Sequence, residues 1–224
     1  MKLHEWFNNE ALNIWRSHLP RHRLAPLLLP ELESNVDLLM VGMNPSYRED
    51  WIAKKITFHP EIFDSETPES LLIWDDEIHE SRIQKIISLE KIARDEDEIY
   101  FKPLENFAKL CGAKNWTHTD TFLIRQTSQK EMLETVYDGR ELSAYSCAQV
   151  DLLKQLIVKV KPKKVAILNA SASRIFQSYI AEVDDSNSMI DFADSKIFFS
   201  GMLSGRRCMD KFSQLRLIEQ IKSS

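Results

Sequence analysis

The sequence predicts an α/β fold, a mostly parallel sheet of four strands covered by helices on both faces. Three observations lead there. Short apolar runs recur at VDLLMVG (36–42), KKVAILN (163–169) and KIFFSG (196–201), and WTHTDTFLI (116–124) alternates and is rich in β-branched residues. Helical periodicity comes after each run, which is the strand–helix alternation of a parallel sheet. Glycine is scarce, five in 224 residues, where average usage would give about fifteen. That excludes Gly-rich repeats, a collagen-like chain and a flexible Gly/Ser linker. It also makes Gly42, Gly112, Gly139, Gly201 and Gly205 worth locating.

From the N-terminus, HEWFNNEALNIWRSHL (4–19) spaces Trp6, Phe7, Leu12, Trp15 and Leu19 as a helix does. Pro20, Pro26 and Pro30 punctuate a basic connector. After the strand 36–42 comes a loop of about twenty residues. Thr67 to Arg94 reads as helical and acidic, and 103–111 as a further short helix. SCAQVDLLKQLIVKVKP (146–162) carries a stripe of Val150, Leu153, Leu156, Ile157 and Val160 that Pro162 stops. Ala172, Ile175, Phe176, Tyr179 and Ile180 mark a helix that Asn169 or Ser171 would cap. Met209, Phe212, Leu215, Ile218 and Ile221 mark the closing helix. The whole reads as one domain, with an N-terminal helix and connector (1–35) and an acidic helical insertion (61–105).

Composition narrows the classes. At 43% hydrophobic and 28% charged, the chain can form a packed core. No run approaches the ~18 apolar residues of a membrane span. The start carries charge and Asn within its apolar pattern, unlike a secretory signal. Cys111, Cys147 and Cys208 form no CxxC pair, which argues against a disulfide framework or a Cys-rich metal site. A reduced, cytoplasmic protein without a cofactor is expected. Net charge is −5, but residues 61–105 alone hold 14 acidic and 5 basic side chains. The rest of the chain is net basic and can face phosphates.

Ligands of parallel sheets sit at the carboxyl ends of the strands, which here read GMNPS (42–46), IRQTS (124–128), NASAS (169–173) and SGMLSGRR (200–207). In GMNPSY, Gly42 allows a tight turn and close approach. Asn44 offers donor and acceptor, Pro45 fixes the backbone, and Ser46 can cap the next segment. A plain strand–turn would look the same. In SGMLSGRR, Ser204, Arg206 and Arg207 suit a phosphate backbone, or are a solvated turn. Asn and Ser in NASAS cap a helix or hold a ligand.

Gly42-Met43-Asn44-Pro45-Ser46 after a buried strand resembles the first motif of the uracil-DNA glycosylase superfamily, and Met202-Leu203-Ser204-Gly205 falls where its second motif belongs. The helix–strand–helix from Cys147 to Ala172 is similar to that of its thermostable bacterial branch. The resemblance spans about residues 36–221. It implies a three-layer α/β/α sandwich with a four-stranded parallel core, and a DNA partner. It implies that Asn44 positions the attacking water or contacts the sugar. It implies that Phe58, or else Tyr47 or Trp51, stacks on an extruded base, and that Asp120 stands where the family reads the base with Asn. Ser204, Arg206 and Arg207 would touch the backbone.

The departures are chemical. The family's second motif often opens on a His that donates to the leaving base; Met202 cannot donate, and Leu203 replaces proline. An ionised Asp120 only accepts, so it would repel uracil O4 and suit two adjacent donors. Uracil is therefore not the expected base. Cys147 matches one iron–sulfur ligand position of the thermostable branch, but that branch's N-terminal CxxC has no counterpart here, which leaves Cys147 a small hydrophobe. Asp75, Asp76, His79 and Glu80 have metal-like helical spacing but also read as a solvated acidic face. His59 and His118 are candidate substitute acids. The implied function is excision of a flipped uracil or other deaminated base. The alternative is a non-catalytic module that binds nucleic acid, a nucleotide or, through the acidic 61–105 helices, a protein.

Overall fold

Helix α1 (Leu3–His18) turns Phe7, Ala11, Leu12 and Trp15 inward along one face. β1 (Leu38–Gly42) is buried along its whole length. There follow α2 (Glu49–Phe58), α3 (Pro60–Phe63), α4 (Pro68–Leu72), α5 (Glu80–Glu96) and α6 (Phe101–Leu110). Next come β2 (Trp116–Asp120), α7 (Gln129–Val136), the short strands β3 (Tyr137–Asp138) and β4 (Glu141–Leu142), and α8 (Ala144–Val160). The chain then runs through β5 (Lys164–Leu168), α9 (Ala170–Phe176), a π-helical turn Gln177–Ala181, β6 (Met189–Phe192), β7 (Ser195–Ser200) and α10 (Lys211–Ser223). These elements come from a computed structural model that describes residues 1–18, 23–74, 78–181, 188–203 and 208–224.

The chain divides into two compact units, each assembled from three segments. The first comprises Met1–Glu31, Asn44–Glu96 and Phe122–Gln149. Its core holds Trp15 and Trp74, both fully buried, with ring centroids 5.6 Å apart edge to face. Trp15 Nε1 donates to Leu24 O at 2.9 Å, so its one polar atom is satisfied. Buried Asn8 brackets Leu29, donating to its carbonyl at 2.9 Å and accepting from its N–H at 2.7 Å.

The second unit comprises Leu32–Met43, Asp97–Thr121 and Val150–Ser224. Among the described residues it holds a five-stranded sheet in the order β2-β1-β5-β7-β6. The first four strands are parallel and β6 runs antiparallel to β7. On one face, Leu38, Met40, Ala166, Leu168 and Phe198 pack with Leu104, Phe107 and Ala108 of α6 and Leu217, Ile218 and Ile221 of α10. On the other, Phe176 of α9 meets Phe199 at 5.8 Å. This is an α/β sandwich with flanking helices, as the alternation predicts.

Four details differ from the sequence reading. The sheet has a fifth strand, β6, joined to β7 through Ala193 and Asp194, both in the left-handed region (φ 50° and 65°). Such two-residue turns are usually signalled by Asn-Gly or Asp-Gly, so Phe-Ala-Asp-Ser gave no cue. The stretch expected as a loop after β1 contains α2, whose Ile52 and Ile56 are buried one turn apart. The helix expected over 67–94 is broken, because Ala25 N–H bonds to Leu72 O and Trp74 N–H to Arg23 O, a short pairing that a continuing helix would forbid. Strand β2 ends at Asp120 rather than running to 124. No helix among the described residues is long and apolar enough to cross a membrane.

Candidate functional site

In the second unit the site is built where β1 and β2 end side by side. Their parallel register sets Met40 opposite His118 and Gly42 opposite Asp120. Side chains alternate along a strand, so His118 and Asp120 share one face. Thr121 locks the pair, since its N–H and its hydroxyl both donate to Gly42 O, at 3.0 and 2.9 Å. Gly42 is obligatory here. A Cβ on it would lie 2.1 Å from Asp120 Oδ1 and 3.1 Å from Tyr100 Oη. Asp120 therefore rests its carboxylate in the space that glycine leaves.

Tyr100, just before α6, completes the cluster. Its Oη lies 3.0 Å from His118 Nε2, and the same Nε2 lies 3.8 Å from Asp120 Oδ1. The His118 ring also meets Tyr100 and Phe101 edge to face, with centroids 5.4 and 5.8 Å away. The Asp120 side chain is buried, and that of His118 keeps 9% of its surface exposed. Burial, then the Asp120 carboxylate, then that of Asp97, pushes the Tyr100 phenol well above its ordinary value. Tyr100 thus stays protonated and keeps an O–H to donate.

The end of β7 belongs to the same unit. Met202 is half-buried, and its carbonyl accepts from Met209 N–H at 2.8 Å. Gly201 makes room for Met209, whose Cγ would lie 3.0 Å from an added Cβ. Three strand spacings separate β2 from β7 in the sheet order, so these two strand ends lie ~14 Å apart. Ser204, Gly205, Arg206 and Arg207 lie outside the described residues. At the end of β5, Asn169 Oδ1 accepts from Ser171 and Ala172 N–H, at 2.9 and 3.2 Å, so the NASAS segment is a helix cap.

In the first unit, segments 44–48 and 124–128 are laced together. Asn44 Nδ2 donates to Gln126 O at 2.6 Å, Pro45 O at 3.0 Å and Ile124 O at 3.3 Å. Gln126 N–H returns a bond to Pro45 O at 3.0 Å, exposed Ser46 faces Thr127, and Thr127 donates to Tyr47 O. Between Ile124 and Gln126 in the chain, Arg125 is buried on Glu90 and on the carbonyls of Ala25 and Pro26. The Asn44 nitrogen is thus spent on backbone carbonyls. Nearby in sequence, Arg48 and Lys55 both sit over Trp51, at 5.6 and 5.4 Å from its ring centroid. Phe58 ends α2 with 70% of its surface exposed. Burial, then the Glu49 and Glu69 carboxylates, pushes the half-buried Tyr47 phenol up. His59, half-buried, lies 3.4 Å from Glu61 and 3.2 Å from Glu96.

The remaining candidates are ordinary. Asp75 and Asp76 lie outside the described residues, and Glu80 accepts from Gln84 one helical turn on. No cluster of three metal-ligating side chains occurs among the described residues. Cys147 is half-buried, with its thiol towards Leu142 O. Sequence reasoning missed Tyr100 and Arg125. The signal for Tyr100 was indirect: His118 and Asp120, two apart on a strand, must share a face, and a partner was to be sought beside them. The chain matches no protein-family model and no curated protein sequence, so the reading of these residues rests on the geometry above.

Proposed function

We propose that this chain is a DNA glycosylase-like protein of the kind its motifs resemble, one that hydrolyses the N-glycosidic bond of a flipped, modified base. The observation that carries this reading is Asp120 at the adjoining carboxyl ends of β1 and β2, seated against Gly42 where only glycine fits. Parallel sheets bind ligands at that edge, and a held acceptor there can read a base. The reaction needs no cofactor. A water oxygen bonds to C1′, the C1′–N bond breaks with its electron pair going to the base, and a proton from the water ends on the departing base. Asn44 is assigned to the water or sugar, and Ser204, Arg206 and Arg207 to the backbone.

The test is single-turnover excision from oligonucleotides carrying uracil, hypoxanthine, xanthine or 8-oxoguanine, which alone of the four keeps adjacent N1–H and N2–H₂ donors, single- and double-stranded, with Asp120→Asn alongside. An amide both donates and accepts, so the variant is expected to gain uracil excision that the parent lacks. Excision of none of the bases by either protein overturns the reading. A second reading, a binding module on the same fold, is favoured by the Asn44 nitrogen being bound to three carbonyls and by the thioether at Met202. Salt-sensitive DNA binding without excision supports it. Absence of DNA binding points instead to a protein partner on the acidic 61–105 helices.

A further inference from the structure

We propose that His118, held by Tyr100, is a positioning residue that keeps Asp120 ionised, and that it thereby makes this strand end a receptor for a base edge with two adjacent N–H donors, the guanine-type edge. The inference rests on the reading of Asp120 as the base-contacting group and adds the base edge that it selects.

One ring nitrogen has two neighbours. His118 Nε2 is 3.0 Å from the Tyr100 oxygen and 3.8 Å from Asp120 Oδ1. The first distance is a hydrogen bond; the second is beyond one and acts as charge on charge. When neutral, the ring accepts from Tyr100 through Nε2 in one tautomer and donates to the Tyr100 oxygen in the other. When protonated, it donates to the Tyr100 oxygen and sets a positive charge beside the carboxylate. In both states the ring is fixed, by that bond and by the flanking Phe101 and Tyr100 rings. A buried carboxylate without such a neighbour takes up a proton. Asp97 precedes α6 and accepts from Tyr100 N–H, Phe101 is apolar, and β1 offers Met40 and Gly42 across the register.

The proton on Asp120 decides which edge it can read. A neutral carboxyl donates once and accepts once, which matches the acceptor N3 and donor N4 of cytosine. An ionised carboxylate accepts twice, which matches N1–H and N2–H₂ of a guanine-type base. Uracil presents an acceptor beside its N3–H donor, which suits a neutral carboxyl as it suits an amide, and not the carboxylate. His118 therefore selects guanine-type bases over pyrimidines.

The experiment tracks the Asp120 carboxyl carbon by NMR in the full chain, its resonance assigned by its loss in Asp120→Asn. Two readouts are taken. In the first, pH is titrated without ligand for the parent, His118→Gln and Tyr100→Phe. The carboxyl is expected to take up its proton at higher pH in His118→Gln and to move less in Tyr100→Phe; should the first variant not fold, the second carries the test. In the second, guanosine, cytidine and uridine are added in turn near neutral pH. Guanosine alone is expected to shift the resonance, with an affinity at least about tenfold above cytidine, and His118→Gln is expected to lose that preference. An unmoved protonation midpoint in the variants, or no selective response to guanosine, overturns the proposal. A guanosine-specific response in a protein that excises no base leaves the proposal standing and sinks only the glycosylase reading.

Discussion

A methyl group at Gly42 would lie 2.1 Å from Asp120 Oδ1 and 3.3 Å from its Cγ, closer than any packing tolerates. Gly42→Ala must therefore displace the carboxylate or the strand end, at a cost of about 2 kcal/mol. Denaturant midpoints are expected to show most of that cost vanish in an Asp120→Ala background; additive effects would mean that the two residues do not press on one another. Met202 carries a chemical expectation of its own. One well-placed donor to a developing anion is worth about 10²–10³ in rate, and a thioether supplies none. Met202→His is expected to raise single-turnover excision at least tenfold if this residue faces the leaving base; an unchanged rate would remove it from the site. At this scale the sequence was informative where residue type is restrictive. A chain with five glycines that spends one after a buried strand points at that position, and so did the acidic residue at the end of β2. Tyr100 was not legible, because DEIYFK has neither the period nor the motif that would mark a site residue. Its role comes from a neighbour eighteen positions away.

The elements were read best where one force dominated. β1, β5 and β7 announce themselves because strands covered on both faces need unbroken apolar runs. α8 shows because its stripe is regular and Pro162 comes soon after it. The hidden features were decided by distant chain: the break between α4 and α5 exists because residues 23–25 pair there, and nothing local to 67–94 requires it. The β6–β7 hairpin was missed for a different reason, an unusual turn residue. Ala193 at φ 50° occupies a conformation that costs an L-residue about 1 kcal/mol and glycine nothing. Ala193→Gly is expected to stabilise the protein by about 0.5–1 kcal/mol, read as a rise in thermal midpoint. A fall would mean that the methyl makes contacts outweighing the strain.

Over the whole molecule, net charge is −5 and several carboxylates are held ionised. Asp37 has the largest of these shifts. Its bond from Lys163, then the N–H of Lys114, lowers it to about 2. Glu96 is lowered by its bond from Lys55. A carboxylate whose value is lower folded than unfolded adds stability above about pH 4, and that stability is lost as pH falls through the folded value, near 2 for Asp37. Urea midpoints are therefore expected to drop between pH 4 and pH 2, and Asp37→Asn is expected to flatten part of that drop. An identical acid profile in the variant would mean that the Lys163 bond does not persist in solution.

The register of the sheet has a consequence for how the chain is made. β1 lies between β2 and β5, and 79 positions separate Gly42 from Thr121, whose two bonds close the nearer pair. At ribosomal speeds of about 5–20 residues per second, that partner arrives roughly 4–16 s after β1. Throughout that interval Leu38, Leu39, Met40 and Val41 form an apolar strand with neither edge matched. The segment that aligns the site in the finished protein is thus, during synthesis, a surface for chaperones to cover and for neighbouring nascent chains to stick to.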